Sequence, residues 1–309
     1  MKLSTLTREQ GANRALFDGS VSPEGFELDF VDEPVLVKGF RKMVRGLEFD
    51  VAEMALTTYI TAKAHAVAFT ALPIFLVREF HHGATQVLRE HSDRPIADLA
   101  GGRIGVNRGY TVTTGVWGRA SLAEAGLDLD SVTWVRSGDE HVASYVPPAN
   151  VIGAPAGTTL EEMLLAGELD AVIGAGIKHP DVVPLISNPN DVAAEALRTR
   201  GVFPINHLVV VRDELLAERL ELAPALFQAF SEAKRRYIKE LPTLPTDVLQ
   251  NRVLARAMEI TGGDPLPYGI QANTATLSEL IDNAVGQHII DRRPAIEELF
   301  AENTLDLQG

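Results

Sequence analysis

Short apolar runs of strand length alternate with amphipathic segments of helix length over the first two thirds of this chain, and that alternation confines it to the α/β class. Phe26, Leu28 and Phe30 alternate with Glu27 and Asp29, the period-2 pattern of a half-buried strand, and a helical stripe follows from Leu36 to Leu47. FDVAEMALTTYITAKAH reads as a short strand opening into a helix, and VAFTALPIFL as a further apolar strand. Beyond the polar stretch Glu90 to Pro95 the order resumes with strand RIGVN, helix VTTGVWGRASLAEAG, strand SVTWVRS, helix TLEEMLLAGE and strand DAVIGA. Leu208 to Val211 has no polar break, which predicts a strand buried on both faces. From Ala223 onward, stripes such as Leu226, Phe230, Ala233 and Tyr237, or Leu277, Leu280, Ile281 and Ala284, predict a mostly helical last third. Mostly parallel sheets flanked by helices follow, and such sheets bind ligands beyond the carboxyl ends of their strands.

The 309 residues suggest two compact units. Lys and Arg number 28 against 42 Asp and Glu, a net charge of -14, which repels nucleic acid and anionic membranes and requires a local basic pocket for any anionic ligand. With no cysteine, thiol nucleophiles, thiolate zinc sites, iron-sulfur clusters and disulfides are excluded. The longest apolar stretch, Ala64 to Val77, is broken by His65, Thr70 and Pro73 and is too short to span a membrane. The start, MKLSTLTREQ, shows no apolar core of a secretory signal, so a cytoplasmic location is expected. There is no P-loop, G-x-G-x-x-G, G-x-S-x-G or H-E-x-x-H, and the glycines of GGRIGVNRG surround a strand as turn glycines. His81 and His82 are adjacent and would point to opposite faces of a strand, which disfavours a metal grip; neither metal nor cofactor is expected.

Several residues stand where ligand chemistry is expected. Arg78 and Arg108 each fall where a strand gives way to a loop, and a guanidinium matches a carboxylate with two hydrogen bonds. Thr113 and Thr114 open a helix, where free N–H groups and the helix dipole favour an anion. Thr57, Thr58 and Tyr59 lie at another helix start, and Trp117, one turn into its helix, can meet an aromatic ligand. Tyr268, in GDPLPYG, is placed to close a cleft from the last third. Glu53 sits in apolar VAEMAL, where burial is expected to raise its pKa and suit it to donate a proton. Each has a plain alternative as surface charge, helix cap or core, and nothing local distinguishes His65, His91, His141, His179 or His288.

Three stretches, FDVAEMALTTY (Phe49 to Tyr59), PIFLVREFHH (Pro73 to His82) and VFPINHLVVVRDEL (Val202 to Leu215), resemble in order and spacing the 4,5-dihydroxyphthalate decarboxylase family. GVNRGYTVTTGVWGRASLAEAGLD, followed by TWVRSGDE, extends the resemblance over most of the chain. It implies the two-lobed type II periplasmic-binding-protein fold, with one lobe from residues 1–88 and 203–309, the other from 89–202, and the ligand cleft between them. The crossings would lie near Gly83 to Glu90 and Gly201 to Val211. The implied activity is that of a cofactor-independent carboxy-lyase of aromatic acid degradation, converting 4,5-dihydroxyphthalate to protocatechuate. His207 or His82 would be the base at a ring hydroxyl and Glu53 the acid at the ring carbon, while Arg78 and Arg108 would hold the retained carboxylate. Two positions depart from the family's pattern: Gln10, Gly11 and Ala12 stand where a Tyr-Asp-Arg triplet precedes LFDG, and His81, a further substrate-contact candidate, replaces an arginine. The same cleft and arginines would serve a solute-binding protein of an ABC-type transporter for a small organic anion, or another lyase of this fold. Association into a homo-oligomer is left open.

Overall fold

Strand β1 (Lys2–Leu6) opens the chain, and its buried Thr5 conceals it from any apolar periodicity. It pairs in parallel with both β2 (Glu27–Phe30) and β3 (Val51–Ala55), so the first residues form the middle of a sheet. Between these strands lie the single turn α1 (Arg14–Phe17) and helix α2 (Leu36–Gly46), whose stripe Gly39, Phe40, Met43 and Val44 is buried. Helix α3 (Leu56–Ala64) follows β3 without a loop, and β4 (Phe69–Arg78) completes this part of the computed structural model, which describes residues Met1–Gly309.

The chain then passes to a second sheet. Its elements are β5 (Thr85–Leu88), β6 (Arg103–Val106), α4 (Thr113–Glu124), β7 (Thr133–Arg136), β8 (Val151–Gly153), α5 (Leu160–Leu165), β9 (Ala171–Ile173) and β10 (Val182–Pro184), with strand order β10-β5-β9-β6-β7-β8. Helix α6 (Pro189–Arg200) leads back to β11 (Ile205–Arg212), which inserts between β3 and β4 to give the first sheet the order β2-β1-β3-β11-β4. Helices α7 (Asp213–Glu218), α8 (Leu222–Glu240) and α9 (Leu249–Thr261) then cover the first sheet, and α10 (Thr274–Gly286) packs on α4.

The sheets are mixed. β11 runs antiparallel to β3 and β4, and β5 runs antiparallel to β9 and β10, because these strands carry the chain between sheets and enter them against the run of the βα units. Since β5 pairs only within the second sheet, the first passage falls between Arg78 and Thr85, ahead of the division at 88 that the sequence suggests. Leu208 to Val211 are at most 1% exposed, as their unbroken apolar run predicts. No helix is long and apolar enough to cross a membrane.

This topology aims two helix N-termini at each other. α3 leaves the carboxyl end of β3 and α4 follows β6, and they meet where the Thr57 amide donates to Thr113 Oγ1 (3.2 Å) and the two hydroxyls lie 2.8 Å apart.

Candidate functional site

In the antiparallel pairing of β3 with β11, Glu53 lies opposite Val209 and Ala55 opposite His207. Residues two apart share a face, so Glu53 and His207 emerge on the same side as diagonal neighbours. His207 Nδ1 lies 2.6 Å from Glu53 Oε1. Glu53 Oε2 accepts from the Thr7 hydroxyl (2.9 Å) and the Arg8 amide (3.1 Å), and buried Asn13 fixes that segment by donating to Thr7 Oγ1 and the Arg8 carbonyl. Burial pushes the Glu53 carboxyl up, but the hydrogen bond and charge of His207, with the Arg8 and Thr7 donors, hold it below the ordinary glutamate value. The raised pKa expected from the apolar sequence is therefore corrected: Glu53 is a carboxylate that orients an imidazole. His207, its side chain 19% exposed, keeps Nε2 without a protein partner.

Phe40 of α2 connects this pair to a second group. Its ring stands edge-on to His207, with centroids 5.2 Å apart, and edge-on to His141, 6.3 Å away. His141 is 2% exposed, with Nδ1 3.1 Å from the Thr58 hydroxyl and Nε2 unpartnered. Burial, then the charges of Arg41, Arg108 and Arg45, lower its pKa to about 4 and keep the ring neutral at pH 7. Arg45 donates to the carbonyls of His141 (3.0 Å) and Glu140 (2.8 Å), and Arg41 to that of Asp139 (3.3 Å), so α2 grips the loop after β7 directly.

Of the residues expected from sequence, Glu53, His207, Thr57, Thr58, Thr113 and Arg108 come together around this junction of the two sheets. Thr114 instead turns its methyl toward Gly174. The N–H groups ahead of α4 are already used: the Glu140 carboxylate accepts from the Tyr110 amide (2.6 Å), the Thr111 amide (3.1 Å) and the Thr111 hydroxyl (2.8 Å). The anion that this segment attracts belongs to the chain.

Others lie elsewhere. Arg78 is 2% exposed, donates to the carbonyls of Phe203 (2.8 Å) and Pro267 (3.4 Å) and to the Asn273 side chain, and stacks over Phe75 and Phe203. Burial lowers its pKa to about 9, and its terminal nitrogens serve the chain's own acceptors, so it is a structural cation and not an exposed clamp. The Tyr59 hydroxyl donates to Leu299 O and accepts from the Ala71 amide, and Tyr268 is buried beneath Lys234; both are core. His81 pairs with Asn206 (2.7 Å), and burial lowers its pKa to about 4. His82 and Trp117 line a separate cavity of about 20 Å³ with Glu124 and Arg200.

At the first departure from the family pattern, Gly11 lies flat on Tyr237, where a Cβ would come 2.1 Å from the ring, so no aspartate fits there unless Tyr237 moves. Sequence reasoning missed Phe40, Arg41, Arg45 and His141. The first three occupy an ordinary amphipathic helix, and the only signal for His141 is that it directly follows TWVRSGDE. No set of three or more His, Asp or Glu side chains is gathered for a metal. The arrangement offers an oriented imidazole for proton transfer beside uncompensated guanidinium charge for an anion.

No family model matches the chain. A 4,5-dihydroxyphthalate decarboxylase of Comamonas testosteroni is 29% identical over 99% of this chain and 98% of its own length. Another, from Pseudomonas putida, is 34% identical over 60% of this chain and 77% of its own. Among solved structures, the periplasmic aliphatic sulphonate binding protein of Escherichia coli matches with a TM-score of 0.56 at 12% identity, covering 97% of this chain and 92% of that one. The fold is therefore that of the type II periplasmic binding proteins, as the sequence resemblance implies.

Proposed function

We propose, from the premise that this chain belongs to the 4,5-dihydroxyphthalate decarboxylase family, that it removes CO2 from a hydroxylated aromatic dicarboxylic acid, with 4,5-dihydroxyphthalate giving protocatechuate as the reference reaction. The net chemistry replaces a carboxylate on a ring carbon by a proton. A hydroxyl para to that carbon releases electron density as its proton passes to water, the ring carbon accepts a proton, and the C–C bond then breaks so that its electron pair restores the aromatic ring as CO2 leaves. One well-placed acid suffices at the carbon.

His207 takes that role in this reading. Glu53 is ionised and bonded to Nδ1, so it orients the ring and leaves Nε2 to deliver the proton. The acid role that the sequence gives to Glu53 thus passes to His207, because a carboxylate already serving three donors is a poor proton source. Arg108 is the guanidinium left for substrate once Arg78 is committed to the interior. The observation that carries the proposal is the 2.6 Å Glu53–His207 contact, which leaves Nε2 without a protein partner.

The test incubates purified protein with 4,5-dihydroxyphthalate and follows CO2 and protocatechuate, with His207→Asn as control. Product from the unmodified protein and none from His207→Asn is the expected result. The fold also carries a sulphonate binding protein, so a second reading is a receptor for a small organic anion. Thermal stabilisation by the acid without CO2 release would select it.

A further inference from the structure

We propose that Arg41, Arg108 and His141 form a carboxylate subsite assembled from both sheets' halves of the molecule, and that it holds the carboxylate the reaction retains. The second clause rests on the decarboxylase reading; the subsite itself does not.

The loop from Ser137 to His141 is the meeting point. Arg41 reaches it from α2 through the Asp139 carbonyl, and Arg108 lies against it, its Cα 3.3 Å from where a Cβ on Gly138 would stand. The backbone at Arg108 is left-handed (φ 68°), a conformation disfavoured for a side chain of this kind, and is pinned by the Ser137 hydroxyl (2.8 Å) and the Gly138 amide (3.1 Å). These bonds fix where the Arg108 side chain leaves the backbone, and its exposed guanidinium makes no hydrogen bond within the chain.

Two polar atoms at this junction are hidden from water without a partner, Nε2 of His141 and Nε of Arg41. Such atoms are uncommon because the lost hydration is not replaced, and here both belong to groups facing the same loop. The nearby carboxylates do not answer them. Glu140 is spent on the Tyr110 and Thr111 donors, and Asp139, 86% exposed, turns toward Arg136. Arg41 and Arg108 therefore repel, and partial desolvation together with the Arg41 charge lowers the pKa of Arg108, which remains exposed to solvent. A neutral imidazole flanked by two unanswered guanidinium groups matches a carboxylate, which accepts from all three. Phe40 relates this group to the chemistry, since its buried ring is edge-on to both His141 and His207.

The experiment measures dissociation constants calorimetrically for phthalate, protocatechuate and catechol, on the unmodified chain and on Arg41→Ala, His141→Ala and Arg45→Ala. Arg41→Ala and His141→Ala are expected to weaken phthalate and protocatechuate about tenfold or more, with catechol, which has no carboxylate, within about twofold. Arg45 touches only backbone carbonyls, so Arg45→Ala changes all three ligands by a similar factor. A crystal structure of the phthalate complex is to show a carboxylate within hydrogen-bond distance of Arg41 and His141. Failure of phthalate to bind, equal weakening of catechol by Arg41→Ala, or a carboxylate seated elsewhere overturns the proposal. Selective loss of phthalate binding in a protein that releases no CO2 would keep the subsite and remove the lyase reading.

Discussion

Replacing Glu53 by Gln changes one oxygen to an NH2 group while preserving shape, which isolates the charge and acceptor pattern of a side chain with no exposed surface. The two carboxylate oxygens serve three donors, His207 Nδ1, the Thr7 hydroxyl and the Arg8 amide. The amide oxygen of Gln can face either the Thr7 and Arg8 donors or His207, but not both, and in neither orientation does a negative charge remain beside the imidazole. If the oxygen stays with Thr7 and Arg8, the NH2 group confronts Nδ1 and imposes the opposite tautomer on His207. Loss of an oriented acid costs about 10²–10⁴ in kcat, while KM should change little because Glu53 cannot touch substrate. Steady-state CO2 release measures both constants, and phthalate binding by calorimetry confirms that the site is intact. A Glu53→Gln protein retaining more than about a tenth of the turnover would refute the orienting role.

Arg78→Ala leaves the Phe203 and Pro267 carbonyls and Asn273 without their donor and should cost about 3 kcal/mol or more in urea unfolding, whereas Arg108→Ala should stay within about 0.5 kcal/mol and raise KM. The opposite pattern would restore Arg78 as a ligand clamp. Because the Glu53 pKa is lowered on folding, its stabilisation is complete above the unfolded value near 4.3 and is lost as pH falls through the lower folded value. The melting-temperature gap between the unmodified chain and Glu53→Gln should therefore narrow on acidification below about pH 4.3, and a gap that stays constant there would contradict the assignment. Thr57→Val removes hydroxyl contacts to Thr111 O (2.6 Å) and Thr113 (2.8 Å), so it should loosen the junction by about 1–2 kcal/mol, raising KM and the radius of gyration in solution scattering. If neither moves, the contact does not hold the two halves together.

The sequence alone determined most of the secondary structure. The helical stripe at Phe40 and Met43, the unbroken strand at Leu208 to Val211 and the strand-to-helix passage at Ala55 each follow from local spacing, because burial on one or both faces leaves a period in the chain. Arg108, Thr57 and Thr113 were legible because they lie where strands end and helices begin, whereas Glu53, in the middle of β3, stood out by its apolar neighbours and His207, inside β11, by the family resemblance. β1 was not, because its place in the middle of a sheet depends on partners at residues 27–30 and 51–52 and not on its own pattern. The chemical state of the site belonged wholly to the tertiary structure. Glu53 is a carboxylate because His207, distant in the chain, and the segment at Thr7 and Arg8 converge on it. Arg78 is structural because Phe203, Pro267 and Asn273 close over it, and His141 matters because α2 brings Arg41 to its loop. Periodicity records how much of a side chain is covered, whereas charge and hydrogen bonding depend on which atoms cover it, and only the folded chain specifies those.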